Sequence, residues 1–180
     1  MLAPKPRVAT YEDVLAAPED MTAELIDGRL RLQARPAPKH QYLAGTLQVR
    51  LGAYYGEGFG GTGGWVFIPE PEIWIGDNLL VPDLAAWRAE RLPEVPGNWK
   101  AAPTPDWVCE ILSPSTAWTD LHEKGPIYAA GSVSFFWVVE PRNNTLQAFQ
   151  NVDGEWAAMS GPPGPSFPAE PFAGVPKPLG

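Results

Sequence analysis

Cysteine is almost missing from this chain: Cys109 is the single one in 180 residues. That excludes an internal disulfide and a cysteine-rich zinc site. Long hydrophobic runs are missing too. No apolar stretch approaches the roughly 18 residues a membrane span requires, and the opening M-L-A-P-K-P-R-V lacks the apolar centre of a signal peptide. The expectation is a cytoplasmic protein without a membrane partner. Basic charge is also in short supply, with 13 Lys+Arg against 21 Asp+Glu and a net charge of −8. This argues against a generic nucleic-acid binder, which displays basic surface to displace counterions from phosphate, unless the cations gather on one face. What is present is core material: 44% hydrophobic residues and eight tryptophans, enough for one packed domain.

Along the chain, Thr10 is placed to cap a short helix over 11–17, with Glu12 and Asp13 in its first turn and Pro18 as its stop. A-E-L-I-D-G-R-L-R-L reads as a hairpin turning at Asp27-Gly28. His40 opens a helix to about 55, where Leu43, Leu47 and Leu51 recur every fourth residue. Strands are expected around Pro69 and Pro71, whose missing N–H groups suit an edge or a bend. Further strands are expected at 79–87, at 106–112 as a central one, and at F-F-W-V-V-E. A polar helix lies near 118–130, and a closing hairpin turns at Asp153-Gly154. Residues 161–180 hold seven prolines and are expected to be a tail or an arm over a neighbour. The division is therefore a domain at 1–160 and a proline-rich tail at 161–180. The order of elements implies an α/β (mixed α+β) fold, one mixed sheet with helices packed on it.

Several motifs carry less than their form suggests. G-E-G-F-G-G matches a dinucleotide loop, but that loop needs a strand before it and a helix after it, and here the order is reversed. Ser113 and Ser115 suit turn and cap duty. Cys109 points, by strand alternation, away from the face of Glu110, and the alternating pairs Trp65/Phe67 and Phe135/Trp137 suit core packing. His122 is expected to be solvated. His40, at a helix start, is exposed to the positive end of the helix dipole, which lowers an imidazole pKa; substrate contact and a purely structural role are both open to it.

The constellation that carries chemistry is Asp83, Glu110 and Lys124, with Glu24 on the first hairpin as an outlying fourth. Asp83 and Glu110 each sit in an apolar strand-like run, where a bare carboxylate is costly. On adjacent strands they would converge on one Mg²⁺, which takes one or two carboxylates plus water and substrate phosphate. A nearby lysine would then position or deprotonate water, or offset charge on the transition state. The competing reading has Asp83 capping a turn and Glu110 simply paired with Lys124.

In order, Y-E-D-V, A-E-L-I-D-G-R-L, P-K-H-Q, V-P-D-L, V-C-E-I-L-S-P-S-T, D-L-H-E-K and Y-A-A-G-S-V-S-F-F-W-V-V-E-P resemble the Uma-two family of restriction-endonuclease-like proteins in the PD-(D/E)XK nuclease superfamily. The resemblance covers about residues 10–150. It implies a restriction-endonuclease-like core, a mixed sheet flanked by helices, with a divalent-metal site. By the same resemblance Pro82-Asp83 and Glu110 are the acidic elements. Lys124, in D-x-x-x-K, replaces the lysine that most superfamily members carry two residues after the second acid, where this chain has Leu112. Glu24 and His40 match the acid and the histidine of the family's hairpin and following helix. One departure is Gly125-Pro126 directly after Lys124, which is expected to start the helix at Pro126 and leave Lys124 on its shoulder.

The function implied is a Mg²⁺- or Mn²⁺-dependent endonuclease acting on DNA, with Asp83 and Glu110 as metal ligands, Lys124 and Glu24 as catalytic support, His40 as a substrate contact, and a homodimer as the form that cuts two strands. The alternatives are a non-cleaving binding or assembly module, favoured by the acidic balance and by Gly125-Pro126 beside Lys124, and a hydrolase of small phosphoesters.

Overall fold

A computed structural model describes residues 7–58, 61–143, 145–159 and 170–172. Helix α1 (Tyr11–Leu15) follows Thr10, whose N–H and hydroxyl both donate to the Asp13 carboxylate. Strands β1 (Met21–Ile26) and β2 (Arg29–Ala34) form the expected hairpin. Asp27 and Gly28, at φ 49° and 72°, have the two left-handed residues of a type I′ turn. The long helix α2 (Pro38–Tyr55) buries Leu43, Leu47 and Leu51. Then come β3 (Trp65–Pro69), β4 (Ile73–Ile75), β5 (Asn78–Leu80), β6 (Leu84–Arg88), a 3₁₀ turn at Trp99–Ala101, and β7 (Trp107–Ile111). Helix α3 (Ala117–Thr119), a π-helical turn (Asp120–Lys124) and α4 (Gly125–Ala130) run on from one another, before β8 (Phe135–Glu140), β9 (Thr145–Val152) and β10 (Glu155–Ala158).

The fold is mixed α/β, but with two sheets where one was expected. Six strands run in the order β10-β9-β8-β7-β6-β3, and four in the order β2-β1-β5-β4. The reason lies at Val81-Pro82-Asp83. A single strand was expected over 79–87, yet β5 pairs with β1 and β4 while β6 pairs with β3 and β7. Proline has no N–H to give a ladder, so the chain breaks there and changes sheet. Pro69 ends β3, which is an edge strand as anticipated, and β7 is central, antiparallel to β6 and parallel to β8.

Period-2 alternation sorts the six-stranded sheet into two cores. Leu84, Ala86, Cys109, Ile111, Trp137 and Val139 face the α2 leucines. Ala85, Trp87, Val108, Phe136 and Val138 face the other way, toward Tyr128 of α4 and the buried residues Ile26, Ile73 and Leu80 of the smaller sheet. Cys109 is fully buried, and burial raises its thiol pKa well above normal. The proline-rich segment also enters the first core. Phe172 is fully buried among Tyr55, Trp65, Phe67, Trp107 and Trp137, and the Glu170 carbonyl accepts from the Trp137 indole. The rest of that segment, and residues 59–60 of the glycine-rich loop, lie outside the described residues.

The helix does not begin at Pro126. Gly125 is itself helical, at φ −50° and ψ −51°, and its N–H donates to the Asp120 carbonyl five residues back. Proline inside an α-helix loses a bond and collides with the carbonyl four residues earlier. Widening the preceding turn to the π register carries the helix across Gly125-Pro126 without a break. Among the described residues no helix is long and apolar enough to cross a membrane.

Candidate functional site

Asp83 begins at the break between β5 and β6, and Glu110 lies one residue from the end of β7. Because β6 and β7 are antiparallel with Leu84 opposite Cys109, Asp83 and Glu110 stand across from each other at the same end of the ladder. Alternation turns Glu110 away from Cys109 and into the face shared with α4. Both acids line a cavity of about 300 Å³ with Lys124, His40, Asp120 and Glu70. Of the expected site residues, four therefore meet at one cavity. Glu24 does not line it and lies fully buried behind Lys124.

Lys124 is the centre of this arrangement. The π turn carries it inward until its side chain is 2% exposed, with Nζ 2.8 Å from Glu110 Oε1 and 3.0 Å from Glu24 Oε1. Nζ also donates to the Val81 carbonyl at 3.1 Å, and Asp120 Oδ1 lies 3.5 Å away. An ammonium has three N–H donors, and three close acceptors match them. Burial alone would lower the lysine pKa, but Glu110, Glu24 and Asp120 outweigh it and hold the value well above normal. Lys124 therefore stays charged.

The carboxylates are oriented by the chain itself. Glu110 Oε1 also accepts from the Tyr128 hydroxyl at 2.8 Å, and burial raises the Glu110 pKa well above normal against the opposing charge of Lys124. Asp120 is raised as well, by burial first, with Lys124 and the Thr116 hydroxyl opposing. Glu24 Oε1 accepts from the Val81 N–H at 2.7 Å and Oε2 from Gln33 Nε2 at 2.9 Å. Asp83 Oδ2 accepts from the Ile111 N–H at 2.6 Å, and Oδ1 lies 2.7 Å from His40 Nε2. Asp83 thus ties β6 to β7 and to α2, which is more than capping a turn. His40 departs from expectation: burial lowers its pKa, but the hydrogen bond and charge of Asp83 outweigh burial, and the net shift is upward.

Tyr128, Asp120 and Gln33 belong to the site and were not singled out from the sequence. Tyr128 follows Lys124 by four residues, a spacing that places helical side chains on one face, and this is the one signal that pointed to it. Ser113 plays the expected turn role, its Oγ accepting from the Thr116 N–H at 3.2 Å. His122 is exposed beside the Trp118 ring. Among the described residues no three His, Cys, Asp or Glu side chains are arranged to enclose a metal ion.

Comparison with known proteins gives three findings. The model of the Uma2 family, described as "Putative restriction endonuclease", matches residues 8–175. A solved structure of "a putative nuclease belonging to DUF820 from Anabaena variabilis" superimposes with a TM-score of 0.71 at 22% identity, covering 92% of this chain and 91% of that one. At that identity the likeness is one of fold. No curated protein matches.

Proposed function

Starting from the fact that the chain belongs to the Uma2 family, we propose that it is a nuclease hydrolysing phosphodiester bonds of DNA, with Asp83 and Glu110 holding Mg²⁺ or Mn²⁺. The observation that carries this reading is the meeting of Asp83, Glu110, Lys124 and His40 at one cavity.

The donor set fits a hard divalent ion. Two carboxylates from adjacent strands face the cavity, with Asp120 and Glu70 also on its wall and one ammonium beside them. Mg²⁺ commonly takes one or two carboxylates and completes its shell with water and substrate phosphate rather than with a full protein cage. Bound there, such an ion supplies Lewis acidity toward a phosphoryl oxygen and the attacking water. The chain's own residues do the rest. Ile111 and His40 hold Asp83 in one orientation; Tyr128 and Lys124 hold Glu110. Lys124 keeps its proton, so it positions Glu110 and offsets charge rather than removing a proton from water. Glu24 holds the ammonium from behind.

Supercoiled plasmid incubated with Mg²⁺ or Mn²⁺ tests the proposal. Nicking or linearisation is expected from the wild type, none with EDTA, and none from Asp83→Ala with its circular dichroism unchanged. Cleavage that survives Asp83→Ala would sink the assignment. A second reading, a nuclease fold kept as a non-cleaving binding module, is favoured by one observation: both oxygens of Asp83 and of Glu24 are already engaged by protein donors. Calorimetric titration of Mn²⁺ separates the two, since the proposal requires binding that Glu110→Gln loses.

A further inference from the structure

The acidic balance of this chain hides a strong local asymmetry. Residues 29–56, which make up β2, its link to α2, and α2 itself, contain Arg29, Arg31, Arg35, Lys39 and Arg50 and not one Asp or Glu. Strand β2 is the outer strand of the four-stranded sheet, and the link from Arg35 to Ala37 forms the rim of the cavity that holds Asp83 and Glu110. A protein of net charge −8 thus carries a continuous basic edge that leads to its candidate site.

The direction of that edge follows from the ladder. Arg29, Arg31 and Gln33 share one face of β2 by alternation. Gln33 reaches Glu24 and Arg31 pairs with Glu123 of the π turn, so this face is the one turned toward the site, and Arg29 extends it outward. Arg29, Arg35 and Lys39 are exposed, and none of the ion pairs among the described residues uses them. The contact Arg35 does make is a hydrogen bond to the Glu19 carbonyl, not an ion pair. Helix α2 adds the positive end of an 18-residue dipole at the same rim, with no acid in its first turn. At about 3.4 Å per strand residue, Arg29 and Arg35 lie ~20 Å apart, the length of roughly six base-pair steps.

We infer that the β2–α2 edge is a binding surface for the phosphate backbone of duplex DNA, with Arg29, Arg35 and Lys39 as its contacts. The inference rests on the nuclease reading for the identity of its partner but not on cleavage itself. Charges on an edge strand also guard against strand-to-strand association; a backbone-binding role adds something that guarding does not, a salt-dependent affinity for DNA.

Anisotropy of a fluorescein-labelled 20-base-pair duplex, titrated with full-length protein in EDTA from 50 to 200 mM NaCl, tests it. Wild-type affinity is expected to fall steeply with salt. Each phosphate contact contributes ~0.9 to the slope of log K against log salt, so Arg29→Ala/Arg35→Ala/Lys39→Ala should lower the slope by about 3. Across that fourfold salt range the variant should therefore lose roughly 40-fold less affinity than the wild type does. Arg142→Ala, which removes an exposed arginine paired with Glu140 at the end of β8 in the other sheet, is the control and should leave the slope unchanged. A triple variant with the wild-type slope, a control that falls equally, or a wild type that does not bind duplex would each overturn the inference. Plasmid cleavage by the wild type alongside an unchanged slope in the triple variant removes the surface and leaves the nuclease reading standing. Binding lost in the triple variant, with no cleavage by the wild type, does the reverse.

Discussion

Lys124→Met removes the one buried cation that Glu24 and Glu110 share, while keeping the length of the side chain. In the native protein Nζ lies 2.8 Å from Glu110 and 3.0 Å from Glu24, with both partners and the lysine at 1–2% exposure. Taking one partner out of a buried pair costs about 3–5 kcal/mol, because the remaining charge is left without compensation. For a chain of this size that corresponds to a fall in Tm of roughly 6–20 °C. The loss should depend on pH with a definite sign. Burial already raises the Glu110 pKa, and loss of Lys124 raises it further. A carboxyl raised in the folded state costs stability as pH climbs from its unfolded value, about 4.3, through its folded one. Wild-type Glu110 is itself raised, so the deficit relative to wild type should be smallest below its folded value and grow by up to ~1.4 kcal/mol per pH unit as pH climbs from there toward the higher value of the variant. Urea unfolding of both proteins between pH 5 and 8 measures this. Adding Glu24→Gln to the variant should restore part of the loss, since contacting residues are not additive. A deficit below about 1 kcal/mol at pH 7.5, or one that stays flat with pH, would refute the argument that Lys124 is a buried counter-charge.

Three further outcomes follow from named contacts. Tyr128→Phe removes the hydroxyl that donates to Glu110 Oε1 and should cost about 1.5–3 kcal/mol in urea unfolding, the range for hydrogen bonds to charged groups. Phe172→Ala empties a fully buried ring site among five aromatic residues and should cost about 3–5 kcal/mol; an unchanged unfolding midpoint would show that the C-terminal segment is no part of the core. His40 has its pKa raised by Asp83 over the opposing effect of burial, so the stability of that pair is fully present below the unfolded value near 6.5 and is lost as pH rises through the folded one. His40→Gln should flatten that part of the wild-type Tm profile, and an unaltered slope would rule out the pair as its source.

Much of this fold was legible because local chemistry and tertiary structure agree. Asp27-Gly28 and Asp153-Gly154 each place two left-handed residues between alternating strands, and the four-residue leucine spacing in α2 became its buried stripe. The opposite facing of Cys109 and Glu110 needed only period 2, and it separates a core thiol from a cavity carboxylate. Failure came where one residue served two demands. Pro82 reads as a flaw in a strand but acts as the point where the chain leaves one sheet for another. Gly125-Pro126 reads as a helix start but is absorbed by a π turn, whose i→i+5 bond has no sequence marker as plain as a cap. Phe172 was hidden in proline-rich sequence because composition describes a segment's backbone, not the destination of one ring. Among the site residues, Asp83 and Glu110 stood out as acids in apolar runs and Lys124 as the cation after them, whereas the part played by Tyr128 shows only in the hydroxyl it donates to Glu110.

Several departures from local rules gather in one place. Pro82 interrupts a strand immediately before Asp83. The π turn carries Asp120 and Lys124. Glu70, between two prolines, takes a left-handed φ of 46°, and its N–H donates to the Asp83 carbonyl. Glu110 and Asp120 are buried acids with raised pKa values. Asp83, Glu70, Glu110, Asp120 and Lys124 all line one cavity of about 300 Å³, next to the break at Pro82, while the hairpins, the α2 stripe and the two cores obey their propensities. A sequence selected for stability alone would replace such groups, since buried ion pairs are often matched or exceeded by apolar residues of similar volume. Local rules broken together, around converging carboxylates, are what a chain keeps when the arrangement is needed for something other than folding. The same logic accounts for Lys124, the one lysine buried among the described residues. One ammonium held among Glu24, Glu110 and Asp120 offsets charge that would otherwise be buried there without a partner.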